Sequence, residues 1–79
     1  RFAVYYLELD PGSFWESEPH LKGTAELITV FGGRIEINAG IRQFWVGERE
    51  SLRFRANTVH SYRNVGEKTA ILHMILFYP

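Results

Sequence analysis

The sequence predicts an all-β fold, a small antiparallel jelly-roll barrel, and three observations carry that expectation. Val, Ile, Phe, Tyr and Trp gather in short runs, the residue types that fit a pleated, half-buried surface. Turn-forming residues interrupt those runs about every ten positions, the spacing of sandwiches and small barrels. No run carries a helical period of any length.

Taken in order, the predicted strands are Phe2 to Leu9, Glu26 to Phe31, Arg34 to Asn38, Ile41 to Val46, Ser51 to Arg55, His60 to Asn64 and Thr69 to Tyr78. Between them lie Asp10-Pro11-Gly12, Gly32-Gly33, Ala39-Gly40, Ala56-Asn57 and Val65-Gly66, which offer the positive φ or fixed turn geometry that a chain reversal needs. Six or seven antiparallel strands are therefore expected.

The 79 residues allow one domain, and a chain of this size buries only about 60% of its unfolded surface. A metal ion or a second subunit would supplement so small a core. Cysteine is absent, which removes disulfides and thiolate ligands and fits a reducing, cytoplasmic setting. The longest apolar run, Ala70 to Tyr78, is broken by His73 and falls far short of the roughly 20 residues that cross a bilayer. No basic-then-apolar leader opens the chain, so no membrane partner is expected. Nine Lys and Arg balance nine Asp and Glu, so the bulk charge would not hold a polyanion. Arg49, Arg53 and Arg55 form a local basic cluster, read as a solvated strand face. The chain opens in a strand pattern at Arg1 without an initiating Met, as a piece of something longer would.

Strand parity decides which side chains share an interior, since residues two apart point to the same face. Glu26 belongs with Ile28 and Val30, which places a carboxylate on an apolar face. His60 shares parity with Tyr62 and Asn64, and Leu52 and Phe54 face inward while Arg53 and Arg55 face out. A buried carboxylate is costly unless it is paired, hydrogen-bonded or bound to a cation. Glu26 could pair with an Arg, lie in water at an open mouth, or hold a metal. Glu18, His20, Glu26 and His60 together supply four candidate metal ligands.

The same residues carry a family resemblance. Pro11-Gly12, Ser17-Glu18-Pro19-His20, Gly23 through Val30 and then Gly33 resemble the first cupin motif, and Ser51 through Asn64 resembles the second. The phrasing of both, with the closing Tyr78-Pro79, is similar to the cupin sensor domain that follows an Xre-type, lambda-repressor-like helix-turn-helix domain in bacterial transcriptional regulators. The resemblance implies that residues 1–79 are a ligand-sensing cupin barrel, usually dimeric, lacking an N-terminal helix-turn-helix domain that would read DNA.

It also implies a ligand set. Glu18 stands where the first His of the usual His-x-His pair falls, His20 matches the second His, Glu26 the acidic ligand and His60 the last His. The spacer from His20 to Glu26 is longer than usual, and Arg49-Glu50 falls where Gly-Asp would, with Gly47 two residues earlier. Two carboxylates and two neutral imidazoles would cancel a divalent charge, and without metal Glu18 and Glu26 would repel each other, raising the pKa of one. Zn²⁺ suits such mixed nitrogen and oxygen ligation best, and Mn²⁺, Ni²⁺ or Fe²⁺ would also be accommodated. Affinity is expected to fall below about pH 6.5, where histidine protonates. Ile28, Phe54, Tyr62 and either His73 or Met74, which have opposite parity, are expected to line the ligand pocket. Phe14 and Trp15 are candidates for a lid, Phe44 and Trp45 are read as packing, and Asn64 as a turn residue.

Three functions compete at this point. The first is effector sensing, in which a small amino acid or carboxylate binds near the metal and biases a homodimer that positions the DNA-binding segment. The second is a small metal-dependent enzyme of dioxygenase or isomerase type, for which only His73 and Tyr62 are candidate acids or bases. The third is a degenerate barrel without metal whose role is dimerisation.

Overall fold

A computed structural model describes the chain from Arg1 to Pro79 as an all-strand structure. Eight strands follow in order: β1 (Phe2–Leu9), β2 (Phe14–Ser17), β3 (Ala25–Gly32), β4 (Ile35–Ala39), β5 (Arg42–Val46), β6 (Ser51–Arg55), β7 (His60–Asn64) and β8 (Ala70–Phe77). They form two antiparallel four-stranded sheets, ordered β1-β8-β3-β6 and β2-β7-β4-β5. The strand absent from the sequence expectation is β2. It has only four residues, Phe14, Trp15 and Glu16 being exposed, so no alternation marks it, and it exists because β7 offers a pairing partner from His60 to Arg63.

The sheets face each other across a core built by alternation. Ile28 and Val30 of β3, Ile35 and Ile37 of β4 and Leu72 and Met74 of β8 are buried and packed in one cluster. Edge strand β1 approaches β2 on one side, and edge strand β6 approaches β5 on the other, which leaves clefts along both seams. Trp45 departs from the packing role expected of it: it is exposed on the outer face of β5, while Phe44 is half-buried. No helix is long and apolar enough to cross a membrane.

Two turns position the strands that carry the site. Arg49 adopts φ 67°, a left-handed conformation that glycine takes more readily, and its N–H donates to the Val30 carbonyl at 2.8 Å. The displaced glycine of the second motif thus leaves its backbone geometry to an arginine. Gly33 has φ +74°, and a Cβ there would stand 2.9 Å from the Ala70 Cα. Gly33→Ala is expected to cost about 2–3 kcal/mol, combining left-handed strain with overpacking. Gly12→Ala, at φ +80° with nothing within 4 Å, should lose only the strain, about 1 kcal/mol. Equal losses by thermal denaturation would contradict this packing.

Candidate metal centre

Three segments converge inside the barrel. Glu26 sits on central strand β3, between Phe54 of β6 and Leu76 of β8, and is fully buried. His60 opens β7, paired with Ser17 and Ala39, and is also buried. His20 lies on the β2–β3 loop, whose backbone is pinned to the β6–β7 loop: His20 N–H donates to the Ala56 carbonyl at 2.8 Å, and Ala56 N–H donates to the Thr24 carbonyl at 2.9 Å. The ligating atoms of His20, Glu26 and His60 all lie within 4.8 Å of one another.

The hydrogen bonds around this cluster aim its free atoms inward. His60 Nδ1 meets the Thr58 carbonyl at 2.8 Å, a contact that requires the proton on Nδ1 and leaves the Nε2 lone pair facing the cluster. The Tyr62 hydroxyl donates to Glu26 Oε1, which leaves Oε2 as the unengaged oxygen. Glu26 Oε2 and His60 Nε2 approach to 3.3 Å, yet both are buried and neither has an aligned hydrogen-bond partner. Orphaned buried polar atoms are rare in native structures and call for an explanation such as an ion. Ligands on a tetrahedral divalent ion, bonded at about 2.0–2.2 Å, stand about 3.3 Å apart, so this pair is already spaced to share one. Two imidazoles and a carboxylate make a donor set that fits Zn²⁺ or Fe²⁺ and leaves coordination positions open.

Electrostatics fix the sign of the pH response. Burial alone would push the His60 imidazole down, but the Glu26 carboxylate 3.3 Å away and the Thr58 carbonyl outweigh it, so its pKa is raised above the ordinary value of 6.5. In the metal-free protein, His60 therefore contributes stability that is fully present below about pH 6.5 and lost as pH rises through the raised value. Metal binding has the opposite dependence, because the ion competes with the proton for Nε2. Zn²⁺ affinity should fall by about tenfold per pH unit below that raised pKa for each proton displaced. Chelator competition between about pH 5.5 and 8.5 measures it, and a flat profile would exclude His60 as a ligand. The Tyr62 hydroxyl is pushed far up by burial and by the Glu26 carboxylate, and it stays protonated.

The structure separates the candidate residues of the sequence. His20, Glu26 and His60 come together, whereas Glu18 is exposed and outside the group. Met74 faces inward, and with Tyr62, His20, Trp15, Tyr5, Leu7, Ser17 and Leu76 it lines a cavity of about 270 Å³ in the β1/β2 seam beside the cluster. Phe54 packs edge-on against the His60 ring at 5.5 Å, and Ile28 lies in the core one alternate position beyond Glu26. His73 points to the opposite face of β8, between Tyr6 and Phe31 at 6.1 and 4.9 Å. Trp15 stacks on Tyr62 at 5.3 Å, so it walls the cavity. Tyr5, Leu7 and Leu76 carried no signal in the sequence beyond the parity of their strands. Asn64 is a turn residue: its amide donates to the carbonyls of Leu9 and Lys68 at 2.8 and 2.9 Å, and its Oδ1 accepts from Gly66 N–H at 2.9 Å. Three larger clefts, of about 630, 570 and 550 Å³, contain none of the cluster residues; the first and last flank β6.

Comparison with known proteins yields consistent relatives. The Cupin_2 model, described as a cupin domain, matches residues 5–76. The HTH-type transcriptional regulator SutR of Escherichia coli strain K12 is 32% identical over 78 residues, covering 99% of this chain and 44% of SutR. The chain thus spans less than half the length of that relative. Among solved structures, the Cupin_2 domain of an XRE family transcriptional regulator from Enterobacter cloacae superposes with a TM-score of 0.93 at 28% identity, covering 99% of this chain and 82% of that one. An HTH_3 family transcriptional regulator from Vibrio cholerae superposes at 0.91 with 24% identity, over 99% of this chain and 43% of that one, and supports the fold alone.

Proposed function

The chain belongs to the Cupin_2 family of cupin domains, and from that premise we propose that it is the effector-sensing domain of a cytoplasmic, dimeric transcriptional regulator whose DNA contacts are made by residues outside this chain. The effector is a compact molecule with a carboxylate handle, an amino acid or small organic acid. It enters the cavity in the β1/β2 seam beside a divalent ion held by His20, Glu26 and His60. The observation that carries this reading is the pair of orphaned, buried atoms, Glu26 Oε2 and His60 Nε2, facing each other beside that cavity. A cavity of about 270 Å³ lies at the small end of the roughly 300–1,000 Å³ common for ligand pockets, and its aromatic wall suits an apolar body behind the polar handle. A bound divalent ion would supply a Lewis-acid anchor for that handle. Sensing requires that the ligand bind the DNA-competent and DNA-free forms unequally.

The two-His, one-carboxylate set also favours a second reading, since open sites of this kind serve non-haem iron oxygenases. Against it, the acid–base candidates are poorly placed. His73 faces away from the cluster, and Tyr62 is held protonated on Glu26.

The test is a screen of free amino acids and small carboxylates against Zn²⁺-loaded protein, read by thermal shift and by Trp15 fluorescence in a Trp45→Phe background. A true effector at about 100 times its Kd should stabilise the domain by about 2.7 kcal/mol, alter Trp15 emission, and lose both effects when the metal is stripped. Equal stabilisation with and without metal would refute a metal-anchored effector, and turnover of the ligand would favour the enzyme.

A further inference from the structure

We infer that the cleft between the start of β3 and edge strand β6 is a second ligand site, separate from the metal centre, that takes a small polyanion through its phosphoryl groups. The cleft has a volume of about 630 Å³, within the range of ligand pockets. Lys22, Arg53 and Arg55 line it without any carboxylate, and Ala25 and Phe54 are its only apolar residues, so its walls suit a charged ligand rather than an apolar one. Across β6, the cleft of about 550 Å³ shares Arg53 and Arg55 and adds Arg42 from β5. Four cations thus gather around one strand of a chain whose formal net charge is zero. No salt bridge of the chain involves any of them, the ion pairs being Glu26–His60 and Glu48–Lys68. Arg49, nearby in sequence, borders neither cleft.

Two further features separate this cleft from a solvated strand face. Arg53 and Arg55 stand opposite Leu27 and Ala25 of β3, so no cross-strand carboxylate offsets two like charges that alternation puts on one face, about 7 Å apart. Thr24, also in the lining, is 1% exposed, and its Oγ1 has no hydrogen-bond partner. A buried hydroxyl without a partner calls for an explanation, and a phosphoryl oxygen in the cleft would accept its proton. The backbone there is fixed, Thr24 N–H donating to the Leu21 carbonyl at 3.0 Å and Ala56 N–H to the Thr24 carbonyl at 2.9 Å, so the residue is positioned before any ligand arrives. Guanidinium forks match phosphoryl oxygens two at a time. A phosphate monoester carries about −1.5 to −2 charges near pH 7, so one or two phosphoryl groups neutralise the cleft where a single carboxylate would not. Basic side chains also keep an edge strand from pairing with another chain. That role needs charge on β6 alone and leaves Thr24, Lys22 and Arg42 unexplained.

Titration of the isotope-labelled, metal-free chain with sodium tripolyphosphate, followed through the amide resonances of Ala25, Arg53, Arg55 and Asn57, tests this. Stripping the metal keeps the probe's own affinity for divalent ions out of the measurement. Saturation with a Kd of about 0.1–1 mM is expected at low salt, and succinate should bind at least about tenfold more weakly. Arg53→Gln and Arg55→Gln should each raise Kd about fivefold or more. Arg34→Gln, which removes the same charge from a different cleft, should change it by less than about twofold. Thr24→Val keeps the side-chain shape, so it should leave the melting temperature equal or higher while raising Kd about threefold or more. Both β6 arginines are exposed, so they decide the matter even where the valine variant fails to fold. No saturable shift, equal binding of succinate, an Arg34→Gln effect as large as that of the β6 variants, or a folded Thr24→Val chain that binds normally would overturn the inference. So would a short DNA duplex that binds through the same residues while tripolyphosphate does not, since the cleft would then serve a nucleic-acid backbone.

Discussion

Glu26→Gln is expected to lower Zn²⁺ affinity by at least about 100-fold while making the metal-free protein more stable, by about 1 kcal/mol near pH 8. Both signs follow from one carboxylate. Glu26 is fully buried, and its Oε2 lacks a hydrogen-bond partner. In the absence of an ion, the fold therefore carries an uncompensated desolvation penalty. Glutamine keeps the shape, and its carbonyl can still accept the Tyr62 hydroxyl, but it brings no charge into the barrel and is a poor ligand. His60→Ala should weaken Zn²⁺ binding by a similar or larger factor without that stabilisation, because it also removes the contact to Thr58. Chelator competition and denaturant unfolding of the stripped proteins read the two quantities separately. A Glu26→Gln protein that is less stable without metal and binds Zn²⁺ normally would mean that Glu26 serves the core alone. A site that sacrifices stability for binding is a familiar trade in proteins.

Tyr62→Phe should destabilise the protein by about 2–3 kcal/mol, which in a domain of this size lowers the melting temperature by roughly 10–20 °C. It removes one oxygen and no packing volume. The ring still fills the core and still stacks on Trp15, but Glu26 Oε1 loses its donor and becomes a second unsatisfied buried oxygen. The same hydroxyl orients Oε2 toward His60, so the variant should also bind Zn²⁺ about 10–100-fold more weakly, the usual scale for a group that holds a ligand in place. Excess Zn²⁺ should recover part of the lost stability. A loss below about 0.5 kcal/mol with unchanged affinity would show that the Tyr62–Glu26 bond does not govern the site.

The interior of the barrel was legible where one face of a strand is buried and the other wet. On β3 the alternation through Glu26, Ile28 and Val30 is clean, and it places a carboxylate among core residues, where Glu26 is fully buried. On β7, His60, Tyr62 and Asn64 share parity in the same way and are buried together. Two choices were not legible. The loop from Glu18 to Thr24 has no periodicity, and family spacing placed both Glu18 and His20 inward. In the structure Glu18 lies just past the end of β2, exposed, and only His20 is turned in by the backbone bond to Ala56. On β8, apolar residues occupy both faces, Leu72, Met74 and Leu76 inside and Ile71, Ile75 and Phe77 outside, so parity alone did not separate Met74 from His73.

The bond from Tyr62 to Glu26 joins strands of different sheets. Local pattern does not contain such a pairing. It arises only when the two sheets close on one another, which also creates the β1/β2 seam and its cavity.

The most direct measurement is anomalous diffraction at the zinc edge from crystals of the protein grown with one equivalent of Zn²⁺. One peak is expected within about 2.0–2.2 Å of His60 Nε2, Glu26 Oε2 and a His20 ring nitrogen, with Glu18 remote from it. A peak elsewhere, or none at these three side chains while they retain the geometry described, would contradict the metal centre on which the proposed sensing rests.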